Sequence, residues 1–158
     1  MLRFALAALV LIGGPLAARE SLGVYDGWAA FKDDSPLRCY AIAKAQIRGS
    51  ASAYMTVSYW PDRQVRGAVH MALSQTVADG ANVRLSLGAN RFTLVAKGRH
   101  AWAKDMRDDA AIVAALRSVG RLRVSATATN GRSFTDQYAL AGSATAIDAA
   151  TVGCARLS

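Results

Sequence analysis

Residues 121–140 set the tightest limit on what this chain folds into. Leu122, Val124, Ala126 and Ala128 alternate with Arg123, Ser125, Thr127 and Thr129. That is the period of two expected of a strand with one face buried and the other wet. Asn130-Gly131 follows, a pair suited to a tight hairpin turn because both central residues must take positive φ. Residues 132–140 then return as the partner strand. No helix satisfies this period, so the segment predicts a β-hairpin.

The same pattern recurs upstream. Met55, Val57 and Tyr59 alternate with Tyr54, Thr56, Ser58 and Trp60, and Pro61-Asp62-Arg63 turns the chain. Val69, Met71 and Leu73 then alternate with Ala68, His70 and Ala72. Asp79-Gly80 reads as a hairpin signal leading into residues 82–87. Gly88-Ala89-Asn90 and Lys97-Gly98 punctuate two further strands, 91–96 and 100–103. Residues 21–45 read as two strands joined by Asp33-Asp34-Ser35-Pro36. In the second, Leu37, Cys39, Ala41 and Ala43 share one face, while Arg38, Tyr40, Ile42 and Lys44 share the other. Residues 49–52 read as a flexible connection. Short strands at regular spacing indicate antiparallel β structure.

Two segments carry a helical period instead. Asp105 suits an N-cap, Asp108 and Asp109 suit the positive end of a helix, Ile112, Leu116 and Val119 form one face, Arg117 falls in the last turn, and Gly120 stops the run. Near the end of the chain Ala144, Ile147, Thr151 and Cys154 recur at helical spacing, with Ser143 as candidate N-cap. The expected fold is therefore mainly β with two short helices. It is an antiparallel β-sandwich or partly open barrel, with one helix inserted before the last hairpin and one at the C-terminus. With 158 residues and no repeat or linker, one domain over residues 19–158 accounts for the chain.

Residues 1–18 stand apart. Arg3 gives a basic start, residues 4–12 are an unbroken apolar run, Gly13-Gly14-Pro15 breaks it, and Leu16-Ala17-Ala18 offers small residues. This is the pattern of a secretory signal peptide cleaved between Ala18 and Arg19. The run is shorter than the ~20 residues that cross a bilayer, so no transmembrane segment is expected in the mature chain. The destination is the periplasm or the outside of the cell. In such an oxidising compartment the two cysteines, Cys39 and Cys154, are expected to form a disulfide. Two buried free thiols are the alternative.

Net charge is +8, and it falls to +7 when Arg3 leaves with the leader. Such a charge favours weak attraction to anionic surfaces such as lipopolysaccharide, phospholipid or nucleic acid. The arginines are scattered and form no run, so a solvated basic exterior is the simpler account and no specific nucleic-acid partner is expected. Tyr54, Trp60, Arg63, Arg66 and His70 interleave aromatic and basic groups and form the candidate binding surface. The simpler account places Trp28, Trp60 and Trp102 in the core, as is common for tryptophan in small β domains.

Catalytic patterns are missing. His70 and His100 are isolated in sequence, and no His-Glu-x-x-His run occurs, so both read as strand-surface residues and not as metal ligands. There is no Gly-x-Ser-x-Gly elbow and no phosphate-cradling glycine loop. Glu20 is the only glutamate, which leaves a glycosidase pair to aspartates better explained as a turn and a helix start. No catalytic, cofactor-binding or metal-binding residue is assigned.

Trp28-Ala-Ala-Phe31 with Arg38-Cys-Tyr-Ala-Ile-Ala43 forms one block of a wider pattern. Ala101-Trp102, the helix at 108–116, the strand at 122–128, and Tyr138-Ala-Leu-Ala-Gly142 continuing through Ala146 to Cys154 form a second. In order and spacing these blocks resemble the invasion-associated locus B family of exported alphaproteobacterial proteins. Many members carry a cysteine just after the first tryptophan. Here Lys32 stands four positions beyond Trp28, and Cys39 is left to pair with Cys154. Members often have a larger residue at the position of Ser143. The resemblance implies a secreted or periplasmic β domain, associated in some pathogens with host-cell entry, and it supplies no catalytic residues. The expected function is non-enzymatic binding of a protein or an anionic envelope component. A factor that binds anionic lipid or polysaccharide through arginines is the alternative, and a small periplasmic hydrolase comes third.

Overall fold

The computed structural model describes residues 19–47 and 52–155. The expected leader and most of the 49–52 connection lie outside the described residues. Among the described residues ten strands form one sheet: β1 (Arg19–Tyr25), β2 (Trp28–Asp34), β3 (Leu37–Lys44), β4 (Tyr54–Trp60), β5 (Val65–Ala72), β6 (Val83–Leu87), β7 (Asn90–Lys97), β8 (His100–Trp102), β9 (Arg121–Thr127) and β10 (Ser133–Ala139). Their spatial order is β1-β2-β3-β4-β5-β8-β7-β6-β9-β10, and the paired neighbours are antiparallel. Helix α1 (Met106–Leu116) precedes the β9–β10 hairpin, and α2 (Ser143–Ala155) closes the described chain. The architecture is the expected one, mainly β with two helices in those positions. The sheet is open, with its inner face curled round a single core.

The core takes one face of each alternating strand. Cys39, Ala41 and Ala43 of β3, Met55 and Val57 of β4, Val69 and Met71 of β5, and Leu122, Val124 and Ala126 of β9 are all buried. Each large apolar side chain removed from water contributes about 1.5–3 kcal/mol. Trp28 is fully buried, and its indole N–H donates to the Ala139 carbonyl at 3.0 Å. The Gln46 amide donates to the Gln137 carbonyl at 2.6 Å. These two bonds link the β2–β3 side of the sheet to β10, the strand at its other end.

Both helices pack on this frame. Asp105 caps α1, accepting from the amides of Arg107 and Asp108 at 3.0 and 2.9 Å. These bonds hold its carboxyl below the usual range. Asp109 reaches further and accepts the Val69 amide of β5 at 2.8 Å. Helix α2 packs on β1 to β4. Its Cys154 is bonded to Cys39 of β3, with Cα atoms 5.7 Å apart. The two helices also meet, since the Ser143 hydroxyl donates to the Leu116 carbonyl at 2.8 Å and Arg117 pairs with Asp148 at 2.6 Å.

Several expectations need correcting. Residues 19–44 hold three strands where two were expected, because Asp26-Gly27 makes a turn between β1 and β2 with Asp26 at φ 51°. Asp79-Gly80 does turn the chain, with the Ala81 amide bonded to the Ala78 carbonyl, but it joins no adjacent pair. β5 neighbours β4 and β8, while β6 neighbours β7 and β9. The buried face of α2 is Ser143, Ala146, Ile147, Ala150 and Cys154. Thr151 is exposed, and its hydroxyl donates back to the Ile147 carbonyl at 2.8 Å. Ser143 does not cap the helix, since its hydroxyl serves Leu116. The Gly142 carbonyl accepts the Ala146 amide instead, at 3.0 Å.

Candidate binding surface

The outer face of the sheet is built from the residues that alternate with the core. Register sets them side by side. Tyr40 lies opposite Ser58, Ser58 opposite Ala68, Thr56 opposite His70, and His70 opposite Trp102. On a solvated face Thr56 and Ser58 would be wet, yet they are 6% and 5% exposed, and Tyr40 is 3% exposed. Larger neighbours cover them. The outer face of β2 to β5 and β8 thus has a packed layer of its own, with two clusters of large side chains set apart by the small residues Thr56, Ser58 and Ala68.

The first cluster is a ladder of guanidinium groups and rings. The Arg38 guanidinium sits 4.0 Å from the ring centre of Tyr40 and 5.1 Å from that of Trp60. Arg63, leaving the short 3-10 turn Pro61–Arg63, lies 5.0 Å from the same Trp60 ring. Arg19 stands 5.8 Å from both Phe31 and Tyr40. Cation–ring contacts at these distances contribute about 0.5–1 kcal/mol each at exposed sites. Asp33 accepts from Arg19 at 3.0 Å and from Arg38 at 3.1 Å. One carboxylate therefore serves two guanidinium groups and leaves positive charge over. Arg63 has no carboxylate within ion-pair distance among the described residues.

The second cluster is aromatic and imidazole. His70 Nε2 and His100 Nδ1 are 3.0 Å apart, hydrogen-bonded to one another, with their rings stacked at 5.2 Å. Trp102 packs beside both, its ring centre 5.5 Å from that of His70 and 6.0 Å from that of His100. Tyr54 meets His70 edge-on at 6.1 Å. Burial, the adjacent His100 and the charge of Arg38 together lower the His70 pKa. Trp102 is 39% exposed and Val95, opposite it on β7, is 53% exposed.

The structure brings together four of the five residues singled out in the sequence. Tyr54, Trp60, Arg63 and His70 contribute to the outer face. Arg66 lines a different feature, a groove of 580 Å³ formed with Tyr59, Pro61, Gln64, Thr151 and Cys154 beside the end of α2. Sequence reasoning passed over Arg38, Tyr40, His100 and Trp102 as members of the surface. Arg38 and Tyr40 were visible as the outward set of β3. His100 and Trp102 were not, because nothing local says that β8 pairs with β5. The two histidines, isolated in sequence, are partners in space. Of the three tryptophans expected in the core, only Trp28 is there; Trp60 is half-buried and Trp102 exposed.

The outer face of the rest of the sheet is different in kind. Arg84 and Arg123 alternate with Ser86 and Ser125 on β6 and β9, and no ring lies against them among the described residues. No group of three or more potential metal ligands occurs among the described residues, and no helix there is long and apolar enough to cross a membrane. No family model, curated protein or solved structure matches the chain.

Proposed function

We propose that this chain is an exported, non-enzymatic binding domain that holds an anionic envelope component, a lipid headgroup or a polysaccharide, on the outer face of β2 to β5 and β8. The observation that carries this reading is the pair of guanidinium groups on Trp60, Arg38 at 5.1 Å and Arg63 at 5.0 Å, with only one aspartate shared between Arg19 and Arg38. Guanidinium groups held flat by rings present a fixed fork of N–H donors to phosphate, sulfate or carboxylate. The half-buried Trp60 ring beside them adds an apolar surface for a sugar or an acyl chain.

Export is supported by the character of residues 1–18, by the resemblance to the invasion-associated locus B family, and by the Cys39–Cys154 bond, which suits an oxidising compartment. Binding in preference to catalysis is supported by the partners of the histidines. Each bonds the other, and neither holds a serine or an aspartate among the described residues. A protein partner is the second reading, favoured by the adjacent exposed Val95 and Trp102.

Salt elution from immobilised heparin and from anionic vesicles tests the proposal. The R63Q/W60A variant should elute at clearly lower salt than the wild type, and R84Q/R123Q should differ far less. A shift for R84Q/R123Q, which loses two charges where R63Q/W60A loses one, equal to or larger than that of R63Q/W60A would mean that only net charge matters and would overturn the reading.

A further inference from the structure

We propose that His70 and His100 form a two-imidazole site for a divalent d-block cation, copper(II) first among them. The separation of the facing nitrogens is the first ground. A metal bound to imidazole at about 2.0–2.1 Å sets two neighbouring nitrogens about 2.9 Å apart at a right angle and about 3.3 Å apart at the tetrahedral angle. His70 Nε2 and His100 Nδ1 are 3.0 Å apart. The cation replaces the hydrogen bond by sitting to one side of the line between the two nitrogens, about 2.0–2.1 Å from each, where a small turn of each ring brings the two lone pairs together. The hydrogen of that bond moves to the far nitrogen of its own ring, so each imidazole remains neutral and each facing nitrogen gives its lone pair to the metal.

Preorganisation is the second ground. Both histidines stand on strands of one ladder, His70 opposite Trp102 and His100 opposite Ala72. Trp102 packs against both rings and Tyr54 against the edge of His70. Little side-chain freedom is left to lose on binding. The positive charge of Arg38, which acts on His70, repels a cation and sets the site toward modest affinity.

The donor set selects the ion. It is nitrogen only, with no carboxylate bonded to either ring among the described residues. Calcium and magnesium require oxygen donors. Copper(II) leads the divalent series for imidazole, followed by nickel(II) and zinc(II). Water fills the remaining positions, since the pair is on an open face.

The test is a titration of the full chain with copper(II) alone, followed by electron paramagnetic resonance and by calorimetry against a competing chelator. One equivalent should bind, and pulsed measurements on the wild type should count two imidazoles. H70Q and H100Q should each weaken that equivalent about a hundredfold or more, the loss expected when a second, tethered ligand is removed. One imidazole or none in the wild type, or undiminished binding by the H70Q/H100Q variant, would overturn the site. The wild-type count stands even if a variant folds poorly, and either outcome is independent of anion binding at Trp60.

Discussion

Cys154, in the last helix, is bonded to Cys39 in the third strand across a separation of 115 residues. The bond fixes the end of α2 to the sheet it covers. Closing so long a loop limits the unfolded chain severely, by up to about 4.7 kcal/mol in the chain-entropy description. A C39S/C154S variant should therefore unfold about 2–5 kcal/mol more easily, measured by urea titration without reductant for both proteins. An unchanged midpoint would mean that helix packing alone retains α2.

Gly142 holds the entry to the same helix at φ 83°, and a Cβ there would collide with the Tyr25 carbonyl. Strain and overlap act together. G142A should cost at least about 1–3 kcal/mol, whereas G131A, where a Cβ would meet nothing, should cost only the strain of its φ of 77°. Comparing the two thermal midpoints separates the collision from the backbone effect.

Asp136 and Tyr138 face inward from β10 and are fully buried. One Asp136 oxygen accepts the Ser74 amide at 2.8 Å, but Oδ1 and the Tyr138 hydroxyl have no hydrogen-bond partner among the described residues. Burial, with the Asp136 charge second, pushes the phenol pKa up, so the hydroxyl stays neutral. A buried hydroxyl left without a partner costs about 1–3 kcal/mol. Y138F, which keeps the ring and removes the orphan, should raise the melting temperature by a few degrees. A fall would show that the hydroxyl is satisfied in solution by bound water.

Acid should weaken the fold through His70. Its folded pKa lies below the ordinary 6.5, chiefly because of burial. Between the two values the unfolded chain binds more protons than the folded one, so stability is full above about pH 6.5 and declines as pH falls through the folded pKa. Urea midpoints from pH 8 to pH 5 should show this decline, and H70Q should flatten it. An identical slope in the variant would assign the decline to other groups.

Much of the fold was legible because the chain is locally consistent. The β9–β10 hairpin, the Asp105 cap and the inward face of β3 each followed from a period or a turn pair. The failures have physical causes. Asp26-Gly27 was hidden inside a stretch with no clear alternation, and the turn residues were passed over for the apolar ones around them. The buried face of α2 is carried by Ser143, Ala146 and Ala150, small residues whose burial depends on close packing against the sheet and not on hydrophobic contrast. The candidate surface was half visible. Trp60 and Arg63 are neighbours in sequence, but Arg38 reaches Trp60, and His100 reaches His70, only through strand order, which long-range pairing decides. Arg66 was drawn in by proximity in sequence, and an irregularity in the β4–β5 register between Ser58 and Trp60 lies beside it.

The outer face of β2 to β5 as a dedicated anion site, distinct from a generally basic exterior, is tested most directly by mapping where an anionic ligand lands. Amide and indole nuclear magnetic resonance shifts followed during titration with a short heparin oligosaccharide give that map. Saturating shifts should concentrate at Arg38, Tyr40, Ser58, the Trp60 indole and Arg63, with little change at Arg84 and Arg123. Shifts spread evenly over the arginines of both halves of the sheet, or centred on β6 and β9, would contradict it.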